Sequence, residues 1–591
     1  MSSSAAIVNA GVGGSAAAAA AQRRKDIKAG NDPTDLRRRR ADTTISLRKA
    51  KKEQGLAAKR RNTAASAAST PATTATAAAA QSAGASIAGA VGGGAGSGAG
   101  EAAAPPRQYA PGDVPELAQK LRSGDAVVRV EAARGLRKVL SLESDPPVDA
   151  VIDAGVMPLL VLCLDQLDHT DLQFEAAWAL TNIASTNKTR AVVDNAAVPG
   201  LVRNLRHHNP DLREQCAWCL GNIAGDCADL RDVVLGTNDA LAALLLNVTQ
   251  PATESLLRNC VWALSNMCRG KPQPEVQLLA PALPVLLGLL ASPDKEVLVD
   301  TCWALSYLSD GDTDRITAVM SSGVVPPLVG LLQHNDSNVV TPALRTLGNF
   351  VTGDDVQTQA VLDAGVLSYL GVLLRHIKKN IRKETCWTLS NIVAGTPAQM
   401  AVVCDAPGVV QGVIDQLEGG VWEVQKEANF VISNIATAGD APRVRQLVEQ
   451  GAIHALCQMI DRADAKVILV ALDAISSILS YDNNDAGLPW AQLVDEAGGL
   501  DRLEQLQEHE NSKVYDKAVM IIERYFGCED DEEEDERFAP VIAEGGETFS
   551  FGATAAGASS ANDTPSKSCG MATGTEGLPA FGSPQRALNF A

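Results

Sequence analysis

Aromatic residues make up only 4% of this 591-residue chain, although 46% of it is hydrophobic. A core drawn from that composition must be mostly aliphatic. With Leu and Ala prominent and strand formers few, the chain reads as all-α. No run of about 20 apolar residues occurs, so no membrane span is expected. Residues 1–21 are Ala-, Gly- and Ser-rich but lack a basic start and a Leu-rich centre, so they do not read as a secretory signal. Cys216 and Cys219 form a C-x-x-C, yet no second such pair and no His pair at zinc spacing accompanies it, so no metal is expected. The other cysteines lie mostly in apolar stretches, as Cys302 and Cys386 do beside a Trp, and read as buried thiols of a reducing compartment. Histidines are isolated apart from His207-His208. No phosphate loop, nucleophile elbow or HExxH is found, which leaves an enzyme without chemistry and without a cofactor.

Charge is present but divided. Residues 1–62 hold 15 Lys and Arg against 5 Asp and Glu, a balance of +10; the whole chain is −19, so the remainder carries −29. A basic arm on an acidic body suits an acidic partner, or the body itself. It argues against nucleic acid as the main ligand. Asp32-Pro33 reads as a helix start, with a basic helix from Leu36 to Ala50. Residues 63–106 carry one charge, Glu101, and read as a flexible Ala/Gly/Ser linker of about 35–40 Å r.m.s. span. Residues 528–591 open with the acidic run Glu529 to Glu536 and continue as a low-complexity tail containing Phe549-Ser-Phe-Gly552; both ends are expected to be disordered.

Between them, residues 107–527 repeat. The anchors Trp178, Trp218, Trp262, Trp303, Arg345, Trp387 and Phe430 are spaced by 40, 44, 41, 42, 42 and 43 residues. Gly155, Gly323, Gly365, Gly408, Gly451 and Gly498 each precede an apolar run, closing one helix and opening the next. A period near 42 with two or three helices per unit is an armadillo or HEAT signature. It predicts an armadillo-repeat superhelical solenoid of about ten repeats with a long concave groove.

The anchors carry partners. Asn182, Asn222, Asn266 and Asn391 each follow a Trp by four residues, hence lie on the same helix face. Indoles on successive units form walls between which the aliphatic stem of Lys or Arg fits, with cation–π attraction on the ring faces. An Asn offers a donor and an acceptor to a peptide backbone. Glu175, Asp300, Glu384 and Glu427 stand three residues before an anchor, and Asp226 follows Asn222 beside Gly225. A lone Trp would read as core; the repeated Trp/Asn pairs with nearby acids read as a groove for extended Lys/Arg-rich peptides.

At these residues the chain resembles the importin-α family of nuclear import adaptors. The resemblance rests on Phe174-Glu-Ala-Ala-Trp-Ala-Leu-Thr-Asn-Ile-Ala-Ser185, Leu220-Gly-Asn-Ile-Ala-Gly-Asp226, Cys302-Trp-Ala-Leu-Ser-Tyr-Leu-Ser-Asp310 and Pro342-Ala-Leu-Arg-Thr-Leu-Gly-Asn-Phe-Val-Thr-Gly-Asp354. Residues 22–62 resemble the family's importin-β-binding arm through Arg37, Arg38, Arg39, Arg40, Arg48, Lys49, Lys51, Lys52, Lys59, Arg60 and Arg61. The resemblance implies a major site for nuclear localisation signals at Trp178/Asn182, Trp218/Asn222 and Trp262/Asn266. Asp226 would pair the key Lys beside Thr189, with Gln215, Arg269, Asp300, Trp303 and Tyr307 flanking. It implies a minor site at Arg345/Asn349, Trp387/Asn391 and Phe430/Asn434, with Asp355, Glu384 and Glu427 as charge partners. It further implies importin-β as partner, an export receptor of that superfamily with Ran-GTP for recycling, and shuttling between cytoplasm and nucleus. The Phe-Ser-Phe-Gly stretch reads either as plain tail or as a contact with nucleoporins.

Two departures from the family stand out. Phe430 occupies a position where the family usually has Trp, which makes a smaller wall and a weaker minor-site pocket. Thr186 replaces the usual Gly, and the loop before Thr189 is one residue shorter. Lys59-Arg60-Arg61 is itself a basic signal tethered to an acidic groove, and tethering raises its effective concentration toward the millimolar range. Autoinhibition by the arm is therefore expected. Rival readings are a signalling or adhesion scaffold on the same repeats, which needs no basic arm, and a nucleic-acid binder acting through Arg37–Arg40.

Overall fold

In a computed structural model, residues 109–142, 146–482 and 489–526 of the repeat region are described, with 541–542 and 549–550 of the tail. The expected basic arm, the linker and most of the tail lie outside the described residues. Ten long helices organise the repeat region. They are α1 (Ala126–Val139), α2 (Thr170–Ala184), α3 (Pro210–Asp226), α4 (Glu254–Met267), α5 (Lys295–Leu308), α6 (Ser337–Phe350), α7 (Lys379–Val393), α8 (Trp422–Ala438), α9 (Ala465–Leu479) and α10 (Ser512–Tyr525). Each packs on the long helix before and after it, so the expected ten-unit armadillo solenoid is what the chain forms. In the tail, β1 (Val541–Ile542) pairs antiparallel with β2 (Phe549–Ser550), a short ladder that the sequence reading did not expect.

Two shorter helices precede most long ones, as Val148–Asp153 and Met157–Cys163 precede α2. Between them the backbone must turn through the left-handed region. Gly155, Gly323, Gly365, Gly408, Gly451 and Gly498 do so with φ between +65° and +87°. Two repeats make the same turn without glycine, on Ala196 (φ 58°) and Asp239 (φ 64°). Seven long helices start on an Asp, Asn or Thr whose side chain accepts a helix N–H: Asp125, Asn209, Thr253, Asp294, Asp336, Asp464 and Asn511.

The core is aliphatic, as the composition requires. Among the described residues only Phe350 and Trp218 are buried aromatics. Since burying a Leu or Val contributes about 1.5–3 kcal/mol, the stack needs no aromatic core, and the remaining indoles are left at its surface. Of the ten described cysteines, all but Cys227 are buried. Burial pushes the Cys219 thiol up to about 12 and Cys216 well above its usual range. The C-x-x-C is thus two inert thiols packed inside α3.

Candidate peptide-binding groove

On seven consecutive helices, α2 to α8, the anchor and the residue four later occupy the same face. The pairs are Trp178/Asn182, Trp218/Asn222, Trp262/Asn266, Trp303/Tyr307, Arg345/Asn349, Trp387/Asn391 and Phe430/Asn434. Every anchor except Trp218 is half-buried, with part of its surface open. Trp303 and Tyr307 stack at 5.8 Å between centroids, their planes 24° apart.

What holds the rings of Trp262 and Trp387 is the helix before each of them. A Cβ placed on Gly221 of α3 would lie 2.2 Å from Cζ3 of Trp262, and one on Gly348 of α6 would lie 2.3 Å from Cζ3 of Trp387. Each glycine therefore leaves the hollow in which the next helix's ring rests. Gly225 does the same for Asn266, whose Nδ2 would be 2.9 Å from a Cβ there. The sequence reading missed Gly221 and Gly348 and named Gly225 only as the neighbour of Asp226. Their signal was the Leu-Gly-Asn shared by 220–222 and 347–349, where other repeats carry Thr or Ser before the Asn.

Four of the six asparagines follow one rule. Asn222 Nδ2 donates to the carbonyl of Thr181 (3.3 Å), Asn266 to Gly221 (2.9 Å), Asn349 to Ser306 (2.9 Å) and Asn434 to Ser390 (3.0 Å). In each case the acceptor immediately precedes the equivalent ladder residue of the previous repeat. Asn182 donates to Arg137 O and Ser141 Oγ, and Asn391 to Trp387 O of its own helix. These bonds fix the amide side chains, and all but that of Asn391 tie neighbouring repeats together; Asn182 and Asn349 each donate to two acceptors. Most of these amides are deeply set; Asn222 is half-buried.

Two acids are already engaged by arginines. Glu175 accepts from Nε of Arg134 (2.8 Å) and Nε of Arg137 (2.5 Å), while the Arg137 guanidinium lies 4.3 Å from the centre of the Trp178 ring. One face of Trp178 is therefore covered by the chain's own cation, in the manner expected of a cargo side chain. Arg345 forks onto Glu384, Nε to Oε2 at 2.7 Å and Nη2 to Oε1 at 2.6 Å, and stands 5.9 Å from the Trp387 ring.

The comparisons with known proteins agree with the armadillo fold. An importin beta binding domain profile matches residues 23–133. Armadillo/beta-catenin-like repeats match 144–185, 186–225, 312–352 and 354–394, a HEAT-like repeat 254–308, and an atypical Arm repeat 488–540. The chain is 46% identical to importin subunit alpha-2 of Arabidopsis thaliana over 72% of its own length and 83% of that protein. It is 41% identical to importin subunit alpha-1b of Oryza sativa subsp. japonica over 71% and 80% respectively. The crystal structure of an engineered protein superposes with a TM-score of 0.64 at 30% identity, covering 70% of this chain and 98% of that one. The chain belongs to the importin-α family.

In this importin-α the residues assigned by resemblance fall as follows. Thr189, at the start of the helix Thr189–Asp194, brings Oγ1 to 3.3 Å from Asp226 Oδ1, at the end of α3. The replacement Thr186 folds the shortened loop itself: its Oγ1 donates to Ile183 O and accepts from Lys188 N. Gln215 is buried, with Nε2 on Thr181 Oγ1 at 2.9 Å. Arg269 Nη2 donates to Gly225 O, one residue from Asp226. Asp300 is half-buried on α5, three residues before Trp303. On the far half, Asp355 is exposed in the first turn of Asp355–Asp363, its carbonyl accepting from Gln399 Nε2 at 2.7 Å. Glu427 is buried on α8, and Phe430 is half-buried one turn beyond. Among the described residues no His/Cys/Asp/Glu group can hold a metal, and no single helix is long and apolar enough to cross a membrane.

Proposed function

We propose that this importin-α is a nuclear import adaptor whose groove takes Lys/Arg-rich localisation signals of cargo proteins and whose basic arm links them to importin-β. The observation that carries the reading is the row of anchors on α2 to α8, each with its polar partner one turn on. Indoles supply walls for aliphatic stems, the fixed amides supply backbone contacts, and acids at the rim receive ammonium or guanidinium heads. The reading needs no bond-making chemistry. The major site comprises Trp178 to Tyr307, with Asp226 beside Thr189 as the pocket for the key Lys. The minor site comprises Arg345 to Asn434. There Glu384 is shared with Arg345, so a cargo cation would meet a partly neutralised acid, and Phe430 offers the smaller ring. Both features favour the major site for a single basic cluster.

Lys59-Arg60-Arg61 competes with cargo until importin-β captures the arm. In the nucleus the released arm helps displace cargo, and an importin-β-superfamily export receptor with Ran-GTP returns the adaptor to the cytoplasm. Affinity for one basic signal peptide, measured with and without Lys59→Ala, Arg60→Ala and Arg61→Ala, tests the arm: binding without importin-β should tighten, and unchanged affinity sinks the autoinhibition claim. In the same titration Asp226→Lys should abolish most binding of a single-cluster peptide; near-normal affinity rejects its assignment.

A further inference from the structure

The starts of α7 and α8 depart from the capping rule that seven of the ten long helices keep. Seven long helices begin on a capping Asp, Asn or Thr, but α7 begins on Lys378 and α8 on Val421, and neither carries a side-chain cap. The third exception is His169 before α2. The turn before α7 is otherwise an ordinary one. In 206–211, 333–338, 375–380 and 508–513 a histidine Nδ1 accepts the backbone N–H two residues on, from Asn209, Asp336, Lys378 and Asn511 respectively. The residue between is His208, Asn335 or Glu510 in three of them and Ile377 in the fourth. That Ile377 is 90% exposed.

A cation at a helix start opposes the helix dipole as well as forgoing the cap. An apolar side chain in open water gains nothing from its position. Two neighbouring repeats therefore give up local stability at the same edge, and such departures from local consistency gather at functional surfaces. The stretch 375–383 holds Arg375, Lys378, Lys379, Arg382 and Lys383 and no acid, on a body that is otherwise strongly acidic. Lys379 Nζ reaches Glu423 at 2.9 Å, which binds the turn of α7 to the first turn of α8. Beside Glu423, Trp422 is 36% and Val421 42% exposed, and the Trp422 ring has Lys426 at 5.6 Å and Arg462 at 5.8 Å from its centre. The result is one edge with apolar side chains set among cations.

We infer that the edge formed by Ile377–Lys379 and Val421–Trp422 is a docking surface for an acidic segment of a partner protein carrying a large apolar side chain. Charge complementarity selects the acids: Asp415, Glu423 and Asp464 pair with Arg375, Lys379 and Lys426, yet the stretch 375–383 itself carries five Lys and Arg and no Asp or Glu. Ile377 and Trp422 select the apolar anchor, which a nucleic acid backbone does not provide. This surface lies at the starts of α7 and α8, where Lys383 stands four residues before Trp387 and Lys426 four before Phe430, so it borders the far half of the ladder, while the anchors of the major site stand on α2 to α5.

The test uses the full-length protein and an acidic peptide with a central Leu-Phe, its Phe replaced by benzoylphenylalanine for photo-cross-linking. Cross-links should map to residues 372–383 and 421–426. The double variant Ile377→Ser, Lys378→Asp should weaken binding by about tenfold or more, while binding of a basic signal peptide stays unchanged. Because Lys378→Asp restores a capping residue, the thermal midpoint should hold or rise, which separates lost docking from lost folding. Cross-links confined to residues 22–62 or to the groove, equal binding by the variant, or no binding at all would overturn the proposal. So would equal binding of a peptide with Ser-Ser in place of Leu-Phe, or recruitment of phosphatidylserine vesicles that the same variant abolishes.

Discussion

If the ladder is held from behind, filling the hollow should damage it without touching any residue that meets a ligand. Gly221→Ala makes the smallest such change. Its Cβ would sit 2.2 Å from Cζ3 and 2.5 Å from Cε3 of Trp262, and 3.1 Å from the Cβ of Ala263. Carbon atoms in contact settle at about 3.5–4.0 Å, so the ring must retreat by roughly 1.3–1.8 Å or α3 and α4 must part. Overpacking of this kind costs about 1–3 kcal/mol. Replacing a mid-helix Gly by Ala returns about 1 kcal/mol of helix propensity. The net loss of stability is thus about 0–2 kcal/mol, a modest change in a repeat array where each unit leans on two neighbours. Binding should respond more selectively. A displaced indole forfeits most of one cation–π and stem contact, about 0.5–2 kcal/mol, or roughly a 2- to 30-fold loss of affinity.

The assay is fluorescence anisotropy with a labelled single-cluster basic peptide, in the Lys59→Ala, Arg60→Ala, Arg61→Ala background so that the arm does not compete. Gly348→Ala is the matched comparison, because it drives the same atom of Trp387, 2.3 Å away, on the other half of the ladder. Gly221→Ala should weaken the single-cluster peptide, whereas Gly348→Ala should leave it nearly unchanged and weaken a two-cluster peptide. Wild-type affinity in Gly221→Ala, with the thermal midpoint lowered, would refute the claim that Trp262 is a binding wall.

Two further substitutions probe the scaffold. Arg345→Ala leaves the carboxylate of Glu384 buried (4% exposed) without its fork, so it should destabilise by about 3–5 kcal/mol, while Arg345→Met with Glu384→Leu should come close to wild type; a mild Arg345→Ala in chemical denaturation would show that the pair is solvated. Ala196→Gly should raise the melting midpoint, because a left-handed Ala costs about 1–2 kcal/mol and the added chain entropy of Gly offsets only part of it. A lowered midpoint would mean that the methyl group of Ala196 contributes packing that outweighs its strain.

The features legible in the sequence were those confined to one helix. Trp and Asn four apart, a Gly before an apolar run and a period near 42 are all local patterns, and they carried the fold and the placing of each Trp and Asn pair on one helix face. What stayed hidden acts across the seam between repeats. Glu175 looked like a rim acid, but Arg134 lies 41 residues upstream on the helix packed against it. Glu384 is engaged by Arg345, 39 residues upstream, for the same reason. The amides of Asn222, Asn266, Asn349 and Asn434 bond to carbonyls 41 to 45 residues earlier, so their side chains stabilise the stack. Ala196 and Asp239 adopt the glycine turn although neither residue type announces it in the sequence. A neighbour at helical spacing tells which face a residue occupies; only the residue one repeat away tells whether that face is already taken. Aligning each long helix with its predecessor, Arg134 over Glu175 and Arg345 over Glu384, turns the second question into a sequence question too. In a solenoid the informative unit is therefore a pair of adjacent repeats, and an acid in the groove is available to a ligand only when that pairing places no arginine on it.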